Sequence, residues 1–279
     1  MQNEDKEVTM VCVADLHSGS RAALCVPDMS LGEGGTYHAS AAQRALYEAW
    51  CGLAKEWHKP DILLINGDAI EGQSRKESGV GCWSTDLDDQ LSCATMLVKE
   101  FDAKKKYVIE GTGYHVDAGG KSLEHWLGER IDAVKIGSGN SMHSADELLL
   151  RVGKLLFHAS HHISVGSGWY KTTPMAREMM FALLNATDKL PKGDQVDIIL
   201  RAHCHYFCGI EFNRQKGYLI PAWQLQTRFE RKKSAWGMIP TIGALRFRIR
   251  GDLLILEKRF FKPVQARPTI HRYEETSTI

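Results

Sequence analysis

The sequence is poor in the features that place a chain in a membrane, outside the cell or on nucleic acid by bulk charge. Its residues are 43% hydrophobic and 25% charged, the average of a soluble globular protein, so neither a membrane span nor a disordered tract is expected. Lys plus Arg number 35 against 34 Asp plus Glu, a formal net charge of +1, so any affinity for a polyanion has to come from a local basic patch. The first seven residues, MQNEDKE, lack the basic start and small-residue cleavage site of an export signal, and a cytoplasmic location is expected. The seven cysteines are odd in number and scattered, which argues for reduced thiols rather than a disulfide framework. His203-Cys204-His205 with Cys208 has no second Cys-x-x-Cys to complete a zinc ribbon. The glycines at 32, 34 and 35 match neither a dinucleotide fingerprint nor a phosphate loop. No repeat, low-complexity tract or linker divides the chain, so residues 1–279 are read as a single domain with an extended tail at 262–279.

What the sequence does have is a set of short apolar runs, each ending in Asp or His. Val8 to Ala14 runs into Asp15-Leu16-His17, and the run 61–65 ends in Asn66-Gly67-Asp68. Residues 107–109 lead into Gly111-Thr112-Gly113-Tyr114-His115-Val116-Asp117. A strand at 154–157 delivers His158, with His161 and His162 close behind, and the run 197–200 leads through Arg201-Ala202 into His203-Cys204-His205. Strands apolar on both faces belong inside a covered sheet, and side chains just past their carboxyl ends face the crevice where such sheets bind ligands. Between the runs, Leu46, Trp50, Leu53 and Trp57 form one helical stripe, and Leu87, Leu91, Ala94, Val98 and Phe101 another. Acids at 86, 88 and 89 and lysines at 104–106 suit the two ends of the second helix. Residues 18–39 read as a long loop, Thr173-Pro174 starts a Met-rich helix, and alternation around Gly251-Asp252 predicts a hairpin.

Five such exits in a chain with 12 histidines point to one site at one edge of a central sheet. Two carboxylates and four imidazoles make an oxygen- and nitrogen-rich donor set that suits Mn, Fe or Zn better than Ca. There are too many donors for one tetrahedral ion. They suit two divalent cations about 3.5–4 Å apart, sharing a carboxylate and a hydroxide, the arrangement that stabilises in-line displacement at phosphorus.

In order and spacing, Asp15-x-His17, Gly67-Asp68, Gly111 to His115, His158 and His203-x-His205 resemble the calcineurin-like metallophosphoesterase superfamily, over residues 11–205, most closely its compact phage and prophage members. The resemblance implies an α/β fold, a two-sheet αββα sandwich. It implies two metal ions, Mn first, with Fe or Zn as alternatives. Asp15, His17 and His205 would hold one ion, His158 and His203 the other, and Asp68 would bridge them. It further implies hydrolysis of a phosphate ester by a hydroxide between the ions, with His115 protonating the leaving oxygen or steadying developing charge and Asp117 orienting it.

Two positions depart from the family pattern. Thr112-Gly113 stand where the family has Asn, so by the resemblance Thr112 would stand in as a weaker, neutral ligand of the second ion through its hydroxyl. Ala202 replaces a glycine, which is mild if the backbone there needs no positive φ. One of His161 and His162 is a further candidate for lining the site. The remaining histidines, His38, His58, His125, His143 and His271, follow no strand exit and are read as surface or satisfied residues. For the substrate, the segment 223–236 interleaves Arg228, Arg231, Lys232 and Lys233 with Trp223, Phe229 and Trp236, a pattern that tracks phosphates and stacks bases. A phosphodiester in nucleic acid or a nucleotide is therefore expected, with a phosphomonoester or a non-catalytic binding scaffold as the alternatives. The sequence does not give the oligomeric state.

Overall fold

The computed structural model describes residues 6–73, 78–116, 122–136, 139, 141–164, 170–233 and 239–262. In chain order the strands are β1 (Val8–Val13), β2 (Asp28–Ser30), β3 (Thr36–His38), β4 (Ile62–Asn66), β5 (Lys105–Ile109), β6 (Ser144–Ala145), β7 (Glu147–Val152), β8 (Leu155–Ser160), β9 (Ile198–Arg201), β10 (Cys208–Glu211), β11 (Lys216–Leu219), β12 (Ile242–Arg250) and β13 (Leu253–Phe261). The helices are α1 (Ala41–Glu56), α2 (Leu87–Lys99), α3 (Gly113–Val116), α4 (Leu123–Arg130), α5 (Thr173–Leu184), α6 (Ala186–Lys189) and α7 (Arg228–Lys233).

The strands form a six-stranded sheet, β13-β12-β1-β4-β5-β6, and a five-stranded sheet, β10-β11-β9-β8-β7. In the first, β1, β4, β5 and β6 are parallel neighbours; in the second, β8 pairs parallel with β9 and β9 with β11. Because side chains alternate across a strand, each central strand feeds two cores. Met10 and Cys12 of β1, Leu64 of β4 and Tyr107 of β5 meet Phe157 and Ala159 of β8 and Leu200 of β9 between the sheets. Val11, Val13, Leu63, Ile65 and Val108 point the other way, onto Leu46, Trp50 and Leu53 of α1 and Leu91 and Leu97 of α2. On the far side of the second sheet, Leu156 and Ile199 pack on Met175 and Met179 of α5. This is the mixed α/β, αββα sandwich that the resemblance implies.

Local signals explain the helix boundaries. Ser40 and Gln43 make a reciprocal capping box at the start of α1, and Asp86 caps α2 by accepting from the Asp88 amide. The hairpin turns at Gly251, whose φ of 63° suits glycine, between β12 and β13.

Three expectations need correction. Residues 18–39 are not all loop, since β2 and β3 pair there as a small antiparallel ribbon. Lysines 104–106 do not serve the dipole of α2, which ends at Lys99. Instead Lys104 Nζ pairs with Asp61 Oδ1 at 2.6 Å, and Lys105 opens β5. The strand read at 154–157 runs on to Ser160, which changes the histidine it delivers. The tail beyond Lys262 lies outside the described residues.

Candidate metal centre

The parallel strands bring their carboxyl ends to one edge. Past β1 and β4 the chains stay hydrogen bonded side by side: Asp15 N donates to Gly67 O at 3.0 Å and His17 N to Asp68 O at 2.9 Å. The second sheet is tied on by Asn66, whose Nδ2 donates to Ser160 O at 3.1 Å and whose carbonyl accepts from His161 Nδ1 at 2.7 Å.

Two groups of donors result: Asp15 with His17 and His205, and Asp68 with His161 and His203, the atoms of each group within 4.8 Å of one another. Asp15 Oδ1 is fully buried and makes no hydrogen bond. It lies 3.2 Å from His205 Nε2, 3.8 Å from His17 Nε2 and 3.9 Å from His161 Nε2. Asp68 reaches both groups, its Oδ2 3.0 Å from His161 Nε2 and 4.0 Å from His17 Nε2. Its other oxygen accepts from Thr112 N at 2.6 Å. The Thr112 hydroxyl donates to Asp68 Oδ2 at 3.1 Å and lies 3.3 Å from His203 Nδ1.

The backbone is strained where these groups sit. Asp15, His17, Asp68, His203 and His205 have φ of 52°, 44°, 49°, 69° and 55°, a region that costs non-glycine residues about 1–3 kcal/mol each and is kept where the surroundings dictate it. Ala202 is not among the positive-φ residues, so its replacement of glycine carries no backbone penalty. The motif glycines have a different use, which is close approach. A Cβ on Gly67 would sit 2.4 Å from His161 Nδ1, and one on Gly111 would sit 2.2 Å from Asp68 Oδ1.

Outer partners fix the rings. His17 Nδ1 lies 2.9 Å from Glu71 Oε2, and that oxygen also accepts from Gln224 Nε2 at 3.2 Å. His115, on the single turn of α3, donates from Nδ1 to Glu71 O at 2.8 Å and meets the His17 ring edge-on at 4.8 Å. With its Nδ1 tied back to Glu71, His17 turns Nε2 towards Asp15 Oδ1 at 3.8 Å and Asp68 Oδ2 at 4.0 Å, the arrangement found around ligating histidines. His17, Glu71 and His115 form a third close group.

His158 is not part of this assembly. It lies within β8, on the face of Leu156, with Nε2 3.1 Å from Glu147 Oε2 and Nδ1 3.4 Å from Arg201. The strand continues two residues beyond it, to Ser160, so the exit position belongs to His161. Asp117 lies outside the described residues, as does Trp236. Arg228, Arg231, Lys232 and Lys233 are exposed on α7, and Lys233 Nζ sits 4.7 Å above the Phe229 ring. Trp223 is fully buried against Trp50 and cannot stack a base. The sequence reading missed Glu71 as a partner of His17. A carboxylate three residues after Asp68 was its one sequence signal.

Charge balance shows what the site demands. Burial opposes charge on Asp68, yet the adjoining imidazoles, His161 above all, hold its carboxyl well below the usual carboxylate range. Burial likewise opposes protonation of His17 and His161, but Glu71 lifts His17 to about 9 and Asp68 lifts His161 to about 10. Burial and the neighbouring His161 charge push His203 down to about 4, leaving it neutral. In the protein alone, protons on His17 and His161 thus carry the positive charge that two buried carboxylates require. A cation bound there would have to displace those protons, so its affinity should rise with pH. Stability from the two raised imidazoles is fully present below their ordinary value of 6.5 and lost as pH rises through about 9 and about 10. Melting in chelator should therefore fall between pH 7 and 10 while Mn2+ affinity climbs; a flat affinity profile across that window would contradict the proton exchange.

The class defined by fold and site is an αββα protein with a buried Asp/His cluster able to hold metal at the carboxyl edge of both sheets. No family model and no curated protein matches the chain. Among solved structures it is similar to Vps29 from Entamoeba histolytica in complex with zinc, at 11% identity over 91% of this chain and 100% of that one, TM-score 0.44. It is also similar to an archaeal phosphodiesterase, at 10% identity over 90% and 100%, TM-score 0.45. A third likeness is to an uncharacterized Streptococcus pneumoniae protein described as a predicted phosphoesterase, at 11% identity over 91% and 99%, TM-score 0.38. Likenesses this distant assign no activity to this chain.

Proposed function

We propose that the chain is a metal-dependent phosphoric ester hydrolase, a phosphodiesterase acting on nucleic acid or nucleotides. The observation that supports this best is Asp15 Oδ1, a buried anionic oxygen without a hydrogen bond, facing the Nε2 atoms of three histidines. Such a cluster of donors is balanced by cations, and imidazole with carboxylate suits Mn, Fe or Zn. Asp15, His17 and His205 would hold one ion and His161 and His203 the other, with Asp68 shared and Thr112 adding its hydroxyl. Two ions held there would supply charge stabilisation at phosphorus and activation of the attacking water.

The chain's own groups do the rest. His115, half-buried and held at Nδ1 by the Glu71 carbonyl, presents Nε2 to protonate the leaving oxygen. Glu71 and Gln224 keep His17 in one orientation. The exposed basic residues of α7 flank the site, since Glu230 of the same helix lies 3.8 Å from His205, and they can track a polyanionic substrate.

Hydrolysis of a chromogenic phosphodiester that requires added Mn2+ and is abolished by chelator is the expected result. Absence of metal-dependent turnover on both mono- and diesters would leave the fold as a binding scaffold. Replacing Arg231, Lys232 and Lys233 together by Ala should weaken binding of a single-stranded oligonucleotide and flatten its log–log salt slope by about 2, three contacts at about 0.7 each. Cleavage of the small diester should stay nearly intact. An unchanged salt slope would remove α7 from the substrate path.

A further inference from the structure

Four imidazoles of the site have Nδ1 within hydrogen-bond reach of a partner: His17 on Glu71 Oε2, His161 on Asn66 O, His115 on Glu71 O and His203 on the Thr112 hydroxyl. His205 differs, because its Nδ1 is buried with no hydrogen-bond partner. Its Nε2 faces Asp15 Oδ1 at 3.2 Å and His17 Nε2 at 3.3 Å. A neutral imidazole that gives Nε2 to a cation carries its hydrogen on Nδ1, where a buried donor needs an acceptor.

One carboxylate is placed to be that acceptor. Glu230 Oε1 lies 3.8 Å from His205 Nδ1, an ion-pair distance longer than a hydrogen bond, and the Glu230 side chain is 15% exposed. Its other oxygen is anchored, Oε2 accepting from Thr227 N at 2.6 Å and from the Thr227 hydroxyl at 3.0 Å, while Glu230 N donates back to that hydroxyl at 3.2 Å. This reciprocal cap holds the carboxylate at the start of α7 with Oε1 left over on the His205 side.

We propose that Glu230 is the positioning residue of His205: it accepts the Nδ1 hydrogen of the metal-ligating tautomer and so raises the affinity of the Asp15–His17–His205 group for a divalent cation. The inference rests on the metal-site reading above and adds to it a role for α7 that no sequence motif marks. It also places the orienting carboxylate on the helix that carries the basic face, so the element meeting a polyanion and the element aligning a ligand are the same.

The test is calorimetric titration of the full chain with Mn2+, which requires no turnover. Glu230→Ala should weaken binding by about 10–100-fold, the usual cost of losing an outer partner of a ligating histidine. Glu230→Gln, whose single amide oxygen can serve the Thr227 cap or His205 Nδ1 but not both, should also weaken binding. With Zn2+ as a diamagnetic probe, imidazole nitrogen NMR should show the His205 hydrogen on Nδ1 in the wild type. Wild-type affinity in both Glu230 variants, or a His205 hydrogen that stays on Nε2 with Zn2+ bound, would overturn the role of Glu230 alone. Failure of the wild type to bind either metal would overturn the metal reading itself.

Discussion

Asp68→Asn is expected to lower turnover of a chromogenic phosphodiester by more than about 10³-fold, beyond the 10²–10³ that losing a single electrostatic donor costs. It should also reduce metal content. Asp68 Oδ2 stands 3.0 Å from His161 of one donor group and 4.0 Å from His17 of the other, so the substitution withdraws an anion from both. The backbone around it stays supported, because Thr112 N can still donate to an amide oxygen at the position of Oδ1 and Ala69 N is held by Glu124 Oε1 at 3.0 Å. Elemental analysis of purified variants, paired with initial rates, separates the effects. His161→Ala should lose metal as Asp68→Asn does. His158→Ala should not, since its ring is spent on Glu147 and Arg201. Near-normal kcat with full metal in Asp68→Asn would show that the carboxylate is not shared.

His115→Ala should lower kcat by about two to four orders of magnitude, the range for a lost general acid, with metal content preserved. The ring is half-buried, its Nδ1 is committed to Glu71 O, and it stacks edge-on against His17 rather than entering either Asp/His group. The loss should be smaller for an ester whose leaving group is already a good one, because less protonation is then needed at the departing oxygen. Metal loss equal to that of His161→Ala would instead make His115 a ligand through the group it forms with His17 and Glu71.

The sequence by itself determined the sheet edges and most of the side chains gathered there. Continuous apolar runs such as Met10 to Val13 and Ile62 to Ile65 can be stable only when covered on both faces, and the Asp or His after each is then forced to the strand's exit. That logic located Asp15, His17, Asp68, His203 and His205 without a coordinate. It misplaced one histidine because strand length is not a local property: β8 runs to Ser160 since its residues through Ser160 pair with β7, and that pairing moves the exit from His158 to His161. A two-residue period then turns His158 to the opposite face from Ala159, towards α5.

Only the tertiary structure could decide the outer partners. Glu71, Gln224 and Glu230 reach the site across 54 residues from His17, 153 from Glu71 and 25 from His205, distances over which no spacing rule operates. The same is true of the closeness that makes Gly67 and Gly111 obligatory, since the atoms a Cβ would strike belong to His161 just past β8 and Asp68 just past β4. Burial, too, divided the aromatic residues of 223–236 in a way composition cannot: Trp223 closes the core against Trp50, while Phe229 remains half exposed beside Lys233. Local periodicity fixes which residues leave a strand, but which side chains then meet is set by how two sheets pack, because contact depends on the folded path of the whole chain.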